Sequence, residues 1–512
     1  MADDLMTELA PQTASLAGRR VVVVGLGITG QSAAELLAAS GAGVIAVDSR
    51  DDDERRHTAA VLEKAGVTVR LGPDELGTGE LGPGATVPAG TELVVTSPGL
   101  RPDTPLLASA VAAGVEVIGD VELAWRLRPV LADGTRQPWL AITGTNGKTT
   151  TVRMLAAMLA AAGHRSLAAG NVGTPILSAV TEARPYEVLA VELSSFQLYW
   201  SSTVAPLAAA LLNVEAHHLD WHDDIESYAA AKARIFAPGT IAICNADDPR
   251  SAALGAAAAR GVSGRRGLGS PQGTECPPGP ARRVSRLVSF RLGEPGPGEL
   301  GVAGGWLTDR AFGDSVPLAP ASAVQPQAPH NVADALAAAA LARAYGDPPE
   351  AIAAGLEAFE PEPHRITRVG SLDGVVYVDD SKASNPAAAK ASLASFPSIV
   401  WIAGGLFRGT DADLDALVAG ALPRLRGAVL LGADRGRFRE ALARHAPDVP
   451  VREVAATDTG VMDLVVAEAA RVARPGDTVL LAPAAQSFDL FRDYPARGDA
   501  FAAAVTRLAA SR

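Results

Sequence analysis

A short apolar run, WLAIT at 139–143, leads straight into GTNGKTT at 144–150 and then into a helical pattern that Gly163 stops. Few folds satisfy such a strand–loop–helix sequence. The glycines allow a sharp turn, and the amides at the helix start converge with the helix dipole on one point, which suits phosphate oxygens. In that geometry Lys148 neutralises β/γ-phosphate charge and the Thr149 hydroxyl reaches Mg²⁺. Only Thr145 and Asn146 separate Gly144 from Gly147, so this is a shorter variant of the common loop. A plain surface turn is the bland alternative, and the flanking strand and helix patterns argue against it.

A second glycine-rich turn lies upstream. VVVV at 21–24 precedes GLGITG at 25–30, with Gly25, Gly27 and Gly30 in the dinucleotide spacing. Asp48 ends the next strand, VIAVD, at the usual offset of about 20 residues. NAD, FAD and a UDP-sugar all fit this signal, as does a tight turn without ligand.

The length of 512 residues suggests about three domains of ordinary size, each able to bury its own core. Strand patterns separated by helical stretches recur along the chain, with a turn-rich linker at 129–138 and a break at PEPHR, 361–365. The expected fold class is α/β with three successive domains: a Rossmann-like domain at 1–128, a central P-loop-type ATPase domain at 129–362, and a Rossmann-like α/β domain at 363–512. The Gly/Pro-rich stretch 261–283 reads as an exposed insertion. The net charge of −12 argues against coating nucleic acid or an anionic membrane. The N-terminus MADDLMTELAPQ lacks a signal-peptide pattern, and no run of 18 apolar residues exists. Cys244 and Cys276 have no metal-ligand spacing. A cytoplasmic protein is expected.

Other polar groups sit where strands are expected to end. Glu192 closes one, a position where carboxylates in α/β domains meet metal. His217, His218, Asp220 and His222 cluster after another and could form a second metal or substrate site. The loop 379–385, DDSKASN, could hold a ribose, a phosphate or an amino-acid carboxylate, or simply cap a helix with a serine. In 485–498, Ser487 reads as a helix N-cap, with Phe488, Leu490 and Phe491 as core. Of the 45 basic residues only five are lysines: Lys64, Lys148, Lys232, Lys382 and Lys390. Lysine and arginine differ chemically, so each lysine that survives this bias is worth locating. By pattern alone, Lys232 in AAAKARIF reads as an exposed helical lysine.

Taken together, GTNGKTT, GNVG (170–173), ELSSFQL (192–198), NVEAHHLD (213–220), AAKARIF, HNVADALAA, PHR (363–365) and DDSKASN resemble the Mur ligases. They span nearly the whole chain in order. GLGITGQS, SPGL (97–100) and LLAPAAQSFDLFRDYPARGDAF are most similar to the branch that adds D-glutamate to UDP-N-acetylmuramoyl-L-alanine. Folylpolyglutamate synthases share the ATP machinery but lack an N-terminal domain of this type.

The resemblance implies ATP-driven amide formation through an acyl phosphate, in a monomer acting on small molecules. ATP would meet Gly144, Thr145, Asn146, Gly147, Lys148, Thr149, Thr150, Asn331, Arg365, Asp380 and Lys382. The UDP-substrate would meet Ile28, Thr29, Asp48, Ser49, Arg50, Gly99, Asn171, Gln197 and His218. D-Glutamate would meet Ser384, Arg408, Ser487, Phe488 and Tyr494. Lys148, Glu192, His218 and Lys232 would be the catalytic set, with Thr149 and Glu192 holding one Mg²⁺, and His218 and Lys232 serving a second. The family's lysine at the Lys232 position is carbamylated, which requires a neutral amine, so the resemblance reverses the reading of an exposed side chain. Family members often carry lysine at the Arg408 position, where arginine can still pair with a carboxylate. A nicotinamide-dependent dehydrogenase would use only the first glycine turn, and a non-catalytic nucleotide-binding module would leave the metal and substrate motifs unexplained.

Overall fold

A computed structural model of the chain describes residues 15–76, 85–261, 283–361, 363–455 and 460–511. Nearly all of the expected 261–283 insertion, Cys276, and the N-terminal MADDLMTELAPQ lie outside the described residues. The described residues form three sheets, and the chain divides into two compact units: residues 1–324 with 332–359, and 325–331 with 360–512.

The first sheet is all parallel. Its strands are β1 (Arg20–Val24), β2 (Gly43–Asp48), β3 (Thr68–Leu71), β4 (Leu93–Thr96) and β5 (Glu116–Gly119), in the order β3-β2-β1-β4-β5. Val21 to Val24 are all buried, as expected for a parallel strand covered on both faces. The glycine turn is tight at two contacts. Gly25 has φ 87°, and a Cβ on Gly30 would lie 1.8 Å from the Gly25 carbonyl oxygen. Only glycine permits that approach.

The second sheet has nine strands: β6 (Trp139–Thr143), β7 (Ser166–Gly170), β8 (Val188–Glu192), β9 (Ala208–Leu211), β10 (Ile241–Asn245), β11 (Arg286–Phe290), β12 (Glu299–Ala303), β13 (Trp306–Asp309) and β14 (Val316–Pro320). Their order is β14-β13-β12-β11-β10-β9-β6-β8-β7. β12, β13 and β14 form an antiparallel extension, built from the Gly/Pro-rich residues 294–325. The parallel pairs β8·β6 and β6·β9 matter most. They bring three carboxyl ends, and the loops that follow them, side by side.

Both sheets belong to the first compact unit and are fastened to each other. Glu122, fully buried, accepts from the backbone amides of Ser202 (2.8 Å) and Thr203 (2.9 Å), and from Arg126 Nε at 3.0 Å. A carboxylate so supplied with donors is worth more than one neutral hydrogen bond. The ring of Trp125 meets Trp139 edge-on at 5.1 Å.

The second unit carries β15 (Thr367–Leu372), β16 (Val375–Asp379), β17 (Ile399–Gly404), β18 (Leu425–Leu431), β19 (Val451–Glu453) and β20 (Thr478–Leu481), in the order β15-β16-β20-β17-β18-β19. β15 is antiparallel to β16 and the rest are parallel. The carboxyl ends of β16, β20 and β17 are neighbours, so the loops after Asp379, Leu481 and Gly404 share one rim. Two helix starts differ from expectation. Asn385, not a serine, caps Pro386–Ala394. Asp493, not Ser487, caps Tyr494–Ala510, where Pro495 sets the first turn. Among the described residues no helix is long and apolar enough to cross a membrane.

Candidate active site

The loop 144–147 leaves the fully buried β6 and ends at Gly147, which adopts φ 83° as the N-cap of helix Lys148–Ala161. A Cβ there would lie 2.2 Å from Asp334 Oδ1, so both conformation and space demand glycine. Asn213, just past β9, pins the loop. Its Oδ1 accepts from Thr145 N (3.0 Å) and Asn146 N (2.8 Å), and its Nδ2 donates to Asn146 O at 3.1 Å. Thr150 Oγ1 is buried with no hydrogen-bond partner among the described residues.

Glu192, at the end of β8, is buried. Thr149 Oγ1 donates to its Oε2 at 3.0 Å and Asn171 Nδ2 to its Oε1 at 2.9 Å. This is an oxygen-rich corner beside a phosphate-type loop, the donor chemistry of a hard divalent cation. The neighbouring lysines converge on one carbonyl. Lys148 Nζ donates to Gly144 O and Thr145 O, both at 3.0 Å, and Lys232 Nζ donates to Gly144 O at 2.8 Å. Lys232 is only 1% exposed, which corrects the pattern-based expectation of an exposed side chain. Burial, and then the Lys148 charge, hold its ammonium well below the usual lysine range, against the opposing pull of Glu192. Tyr228 lies beneath it, with Lys232 Nζ 4.5 Å from the ring centroid and the phenol oxygen 3.2 Å from Thr145 Oγ1. No local sequence pattern marks Asn213, Tyr228 or Asp334 as part of this site. The i, i+4 spacing of Tyr228 and Lys232 on helix Ile225–Ala233 is the signal that would have joined that pair.

The histidine cluster divides. His222 is buried, 2.9 Å from Ser195 Oγ through Nε2, and stacked on Phe196 at 5.5 Å. Burial pushes it down to about 4, so it is neutral near pH 7. His218 is exposed, at φ 55°, with Phe196 4.8 Å from its ring. Among the described residues no group of three or more His, Cys, Asp or Glu is preassembled for a metal. The four polar candidates at 217–222 therefore do not form a cage by themselves.

At the carboxyl ends of β2, β1 and β4 lie Ile28, Thr29, Asp48, Ser49, Arg50 and Gly99. Ile28 is 77% exposed at the start of helix Ile28–Ala39. Asp48 is buried, and its carboxylate accepts from Leu26 N at 2.6 Å and Arg50 N at 2.9 Å, bracing the glycine turn. Gln197 is buried too, where its Oε1 accepts from Ser194 N in a capping box and its Nε2 faces Asp120 Oδ2 at 3.5 Å. Asp120 Oδ1 has no hydrogen-bond partner among the described residues. Burial pushes Asp120 up to about 6. A carboxyl raised in the fold costs stability once ionised, a penalty absent below the unfolded value of 3.8 and complete above about 6. The stability of Asp120→Asn relative to the parent is thus expected to shift by roughly 1–2 kcal/mol in the variant's favour between pH 5 and pH 8. Denaturant melts at the two pH values check this, and a constant difference would contradict it.

On the rim of the second unit, Asp380 is buried and pushed up to about 6 by that burial. Lys382 Nζ lies 5.4 Å from the Tyr494 ring centroid. The buried Arg497 donates to Ser381 O at 2.8 Å and Ala485 O at 3.0 Å, tying the 380–384 loop to the loop that carries Ser487. Ser487 is buried and Arg408 is exposed. Phe488 is 65% exposed, contrary to the expectation of core, whereas Phe491 is buried. Buried Asn331 donates to Pro326 O at 2.9 Å, while its Oδ1 lacks a hydrogen-bond partner among the described residues. Arg365 lies close enough to His330 for its charge to help lower that imidazole.

Comparison with known proteins decides the family. Residues 19–119 match the Mur ligase MurD-like N-terminal domain, 142–264 the Mur ligase middle domain, and 364–485 the Mur ligase glutamate ligase domain. The chain belongs to the Mur ligase family. A UDP-N-acetylmuramoylalanine–D-glutamate ligase of Thermobifida fusca (strain YX) is 55% identical over 96% of this Mur ligase and 99% of its own length. The protein of that name from Streptomyces coelicolor (strain ATCC BAA-471 / A3(2) / M145) is 52% identical over 96% and 99%. A pseudomurein peptide ligase type C from Methanothermus fervidus shares the fold, with TM-score 0.54 and 17% identity over 96% of this chain and 100% of that one. The three-domain α/β class expected from sequence is thus the family's own.

Proposed function

We propose that this Mur ligase joins D-glutamate to UDP-N-acetylmuramoyl-L-alanine, cleaving ATP to ADP and phosphate, as a cytoplasmic monomer in peptidoglycan precursor synthesis. The observation that carries the reading is the identity of 55% to a ligase of that name over nearly the full length of both chains. The division of labour follows the three domains: 1–128 for the UDP-sugar, 129–362 for ATP, 363–512 for the amino acid.

The substrate carboxylate attacks the γ-phosphate, giving an acyl phosphate and ADP. The D-glutamate amine then attacks the acyl carbon, and phosphate leaves with the carboxylate oxygen. Activation is needed because a carboxylate is a poor electrophile. The loop amides held by Asn213 cradle phosphates, and Lys148 turns from the Gly144 and Thr145 carbonyls to the transferring group. Such sites act by positioning and charge neutralisation. Asn331 Oδ1, a buried acceptor without a hydrogen-bond partner among the described residues, suits the amino group of a purine. Asp380, Lys382 and Arg365 serve the remainder of ATP, and Ser384, Arg408, Ser487, Phe488 and Tyr494 the D-glutamate.

Thr149 and Glu192 would hold one Mg²⁺, and His218 with carbamylated Lys232 a second. Bound Mg²⁺ supplies neutralisation of phosphate charge. The burial that disfavours the Lys232 ammonium suits the modification: the amine in its neutral form adds to CO₂, loses a proton and becomes an anionic oxygen donor. Arginine could not.

Phosphate release with ATP, Mg²⁺ and UDP-N-acetylmuramoyl-L-alanine across a panel of amino acids tests the reading. D-Glutamate is expected to give release well above L-glutamate, L-alanine and diaminopimelate. Equal release with any of these would overturn it.

A further inference from the structure

The segment 217–223 cannot hold its own shape. It makes a single helical turn, Leu219–His222, flanked by two non-glycine residues at positive φ, His218 at φ 55° and Asp223 at φ 69°. An isolated turn is unstable, and non-glycine residues at positive φ add strain. Something outside must hold it. On its inner side, His222 meets Ser195 and Phe196, on the helix that follows Glu192.

The opposite side is held from the first sheet's domain, by the loop after β4. Arg101 Nη1 donates to Asp220 O at 2.5 Å and to Trp221 O at 3.1 Å. These carbonyls end the single turn, where a helix leaves its acceptors unsatisfied. Arg101 Nη2 donates to Asp223 Oδ1 at 3.3 Å, and Nε donates to Asp103 Oδ1 at 3.1 Å, which fixes the guanidinium plane. A return contact runs from Trp221 Nε1 to Gly99 O at 3.0 Å. One planar fork thus spans two carbonyls and a carboxylate, a pattern a lysine ammonium cannot reproduce.

We propose that Arg101 is a positioning residue: it fixes the segment bearing His218 against the 97–101 loop, so that the UDP-substrate loop and the metal histidine are set by one clamp. The role of His218 and Gly99 here rests on the functional reading above. Clamping costs nothing at the moment of reaction and keeps His218 from swinging with the strained turn. It also couples the two sites: order imposed on the 97–101 loop by substrate is order imposed on 217–223.

Hydrogen exchange of the ligand-free full chain tests the clamp without metal or turnover. In Arg101→Ala, amides of 219–224 are expected to exchange about tenfold faster or more, with helix Ile225–Ala233 unchanged. In phosphate-release assays the Mg²⁺ half-saturation is expected to rise about 10–100-fold, the range for residues that orient metal ligands, with the ATP KM within about twofold. Arg101→Lys is expected to fall between. Unchanged exchange at 219–224 would overturn the proposal. So would an unchanged Mg²⁺ half-saturation beside a raised KM for the UDP-substrate, which would make Arg101 a direct substrate contact. If the parent protein released no phosphate with any amino acid, the functional reading would fall, while the exchange result would still decide the clamp.

Discussion

Lys232→Ala is expected to lose phosphate release by on the order of 10³-fold and to regain part of it in added acetate or formate. The argument begins with burial. A lysine only 1% exposed, donating to the Gly144 carbonyl and with the Lys148 ammonium on that same oxygen, is not a stable home for a second full positive charge. Burial and the Lys148 charge favour the neutral amine, which is the form that adds to CO₂. On the proposed function the alanine variant removes the carbamate's anionic oxygens and leaves space in which a small carboxylate can stand for them. Lys232→Arg fills that space with a fixed cation, so it is expected to be as inactive and not to be rescued. Steady-state phosphate release with and without the added acids is the measurement. Unchanged activity in Lys232→Ala would remove the carbamate from the account.

Lys148→Ala is expected to cost at least about 10²–10³-fold in kcat, since on the proposed function it deletes a fixed positive charge at the transferring phosphate. Its ammonium already stands over the loop, on the Gly144 and Thr145 carbonyls at 3.0 Å, so no long-range rearrangement brings it into play. The loop's shape comes from elsewhere, from Asn213 and the left-handed Gly147. The variant is therefore expected to keep its fold and its melting temperature within about 2 °C, because Lys148 is only half-buried and the Gly144 carbonyl it leaves still accepts from Lys232. Phosphate release and a thermal melt on one preparation check both halves. Near-normal turnover would contradict the assignment, and a collapsed melting temperature would make Lys148 a structural residue.

What the sequence disclosed was whatever is local. GLGITG, GTNGKTT and DDSKASN announce themselves because a strand, its turn and the following helix are contiguous; Gly30 is dictated by a contact within its own turn and Gly147 by the left-handed backbone of its loop. Long-range placement was hidden. Lys232 sits in an alanine-rich helix whose pattern has no strong face, and only its docking on the Gly144 carbonyl shows that it is buried. Asn213 and Asp334 grip the phosphate loop from far along the chain. Arg101 looks like any surface arginine until the 220–223 turn is set against it. Ser487 and Asp493 are both good N-caps, and Pro495 decides between them. Phe488 reads as core by hydrophobicity, yet it sits on the rim beside residues assigned to D-glutamate. The small-residue strand Ser166–Gly170 gave no β-branched signal, and its place at the sheet edge beside β8 comes from tertiary pairing.

The central claim is that ATP activates the carboxylate of the UDP-linked substrate for attack by D-glutamate. Substrate labelled with ¹⁸O in that carboxylate tests it most directly, by mass analysis of the phosphate released in the presence of D-glutamate. The account predicts that each turnover moves one carboxylate oxygen into phosphate, and that L-glutamate does not support the transfer at a comparable rate. Amide product formed with unlabelled phosphate, or equal transfer with the L-isomer, would contradict it.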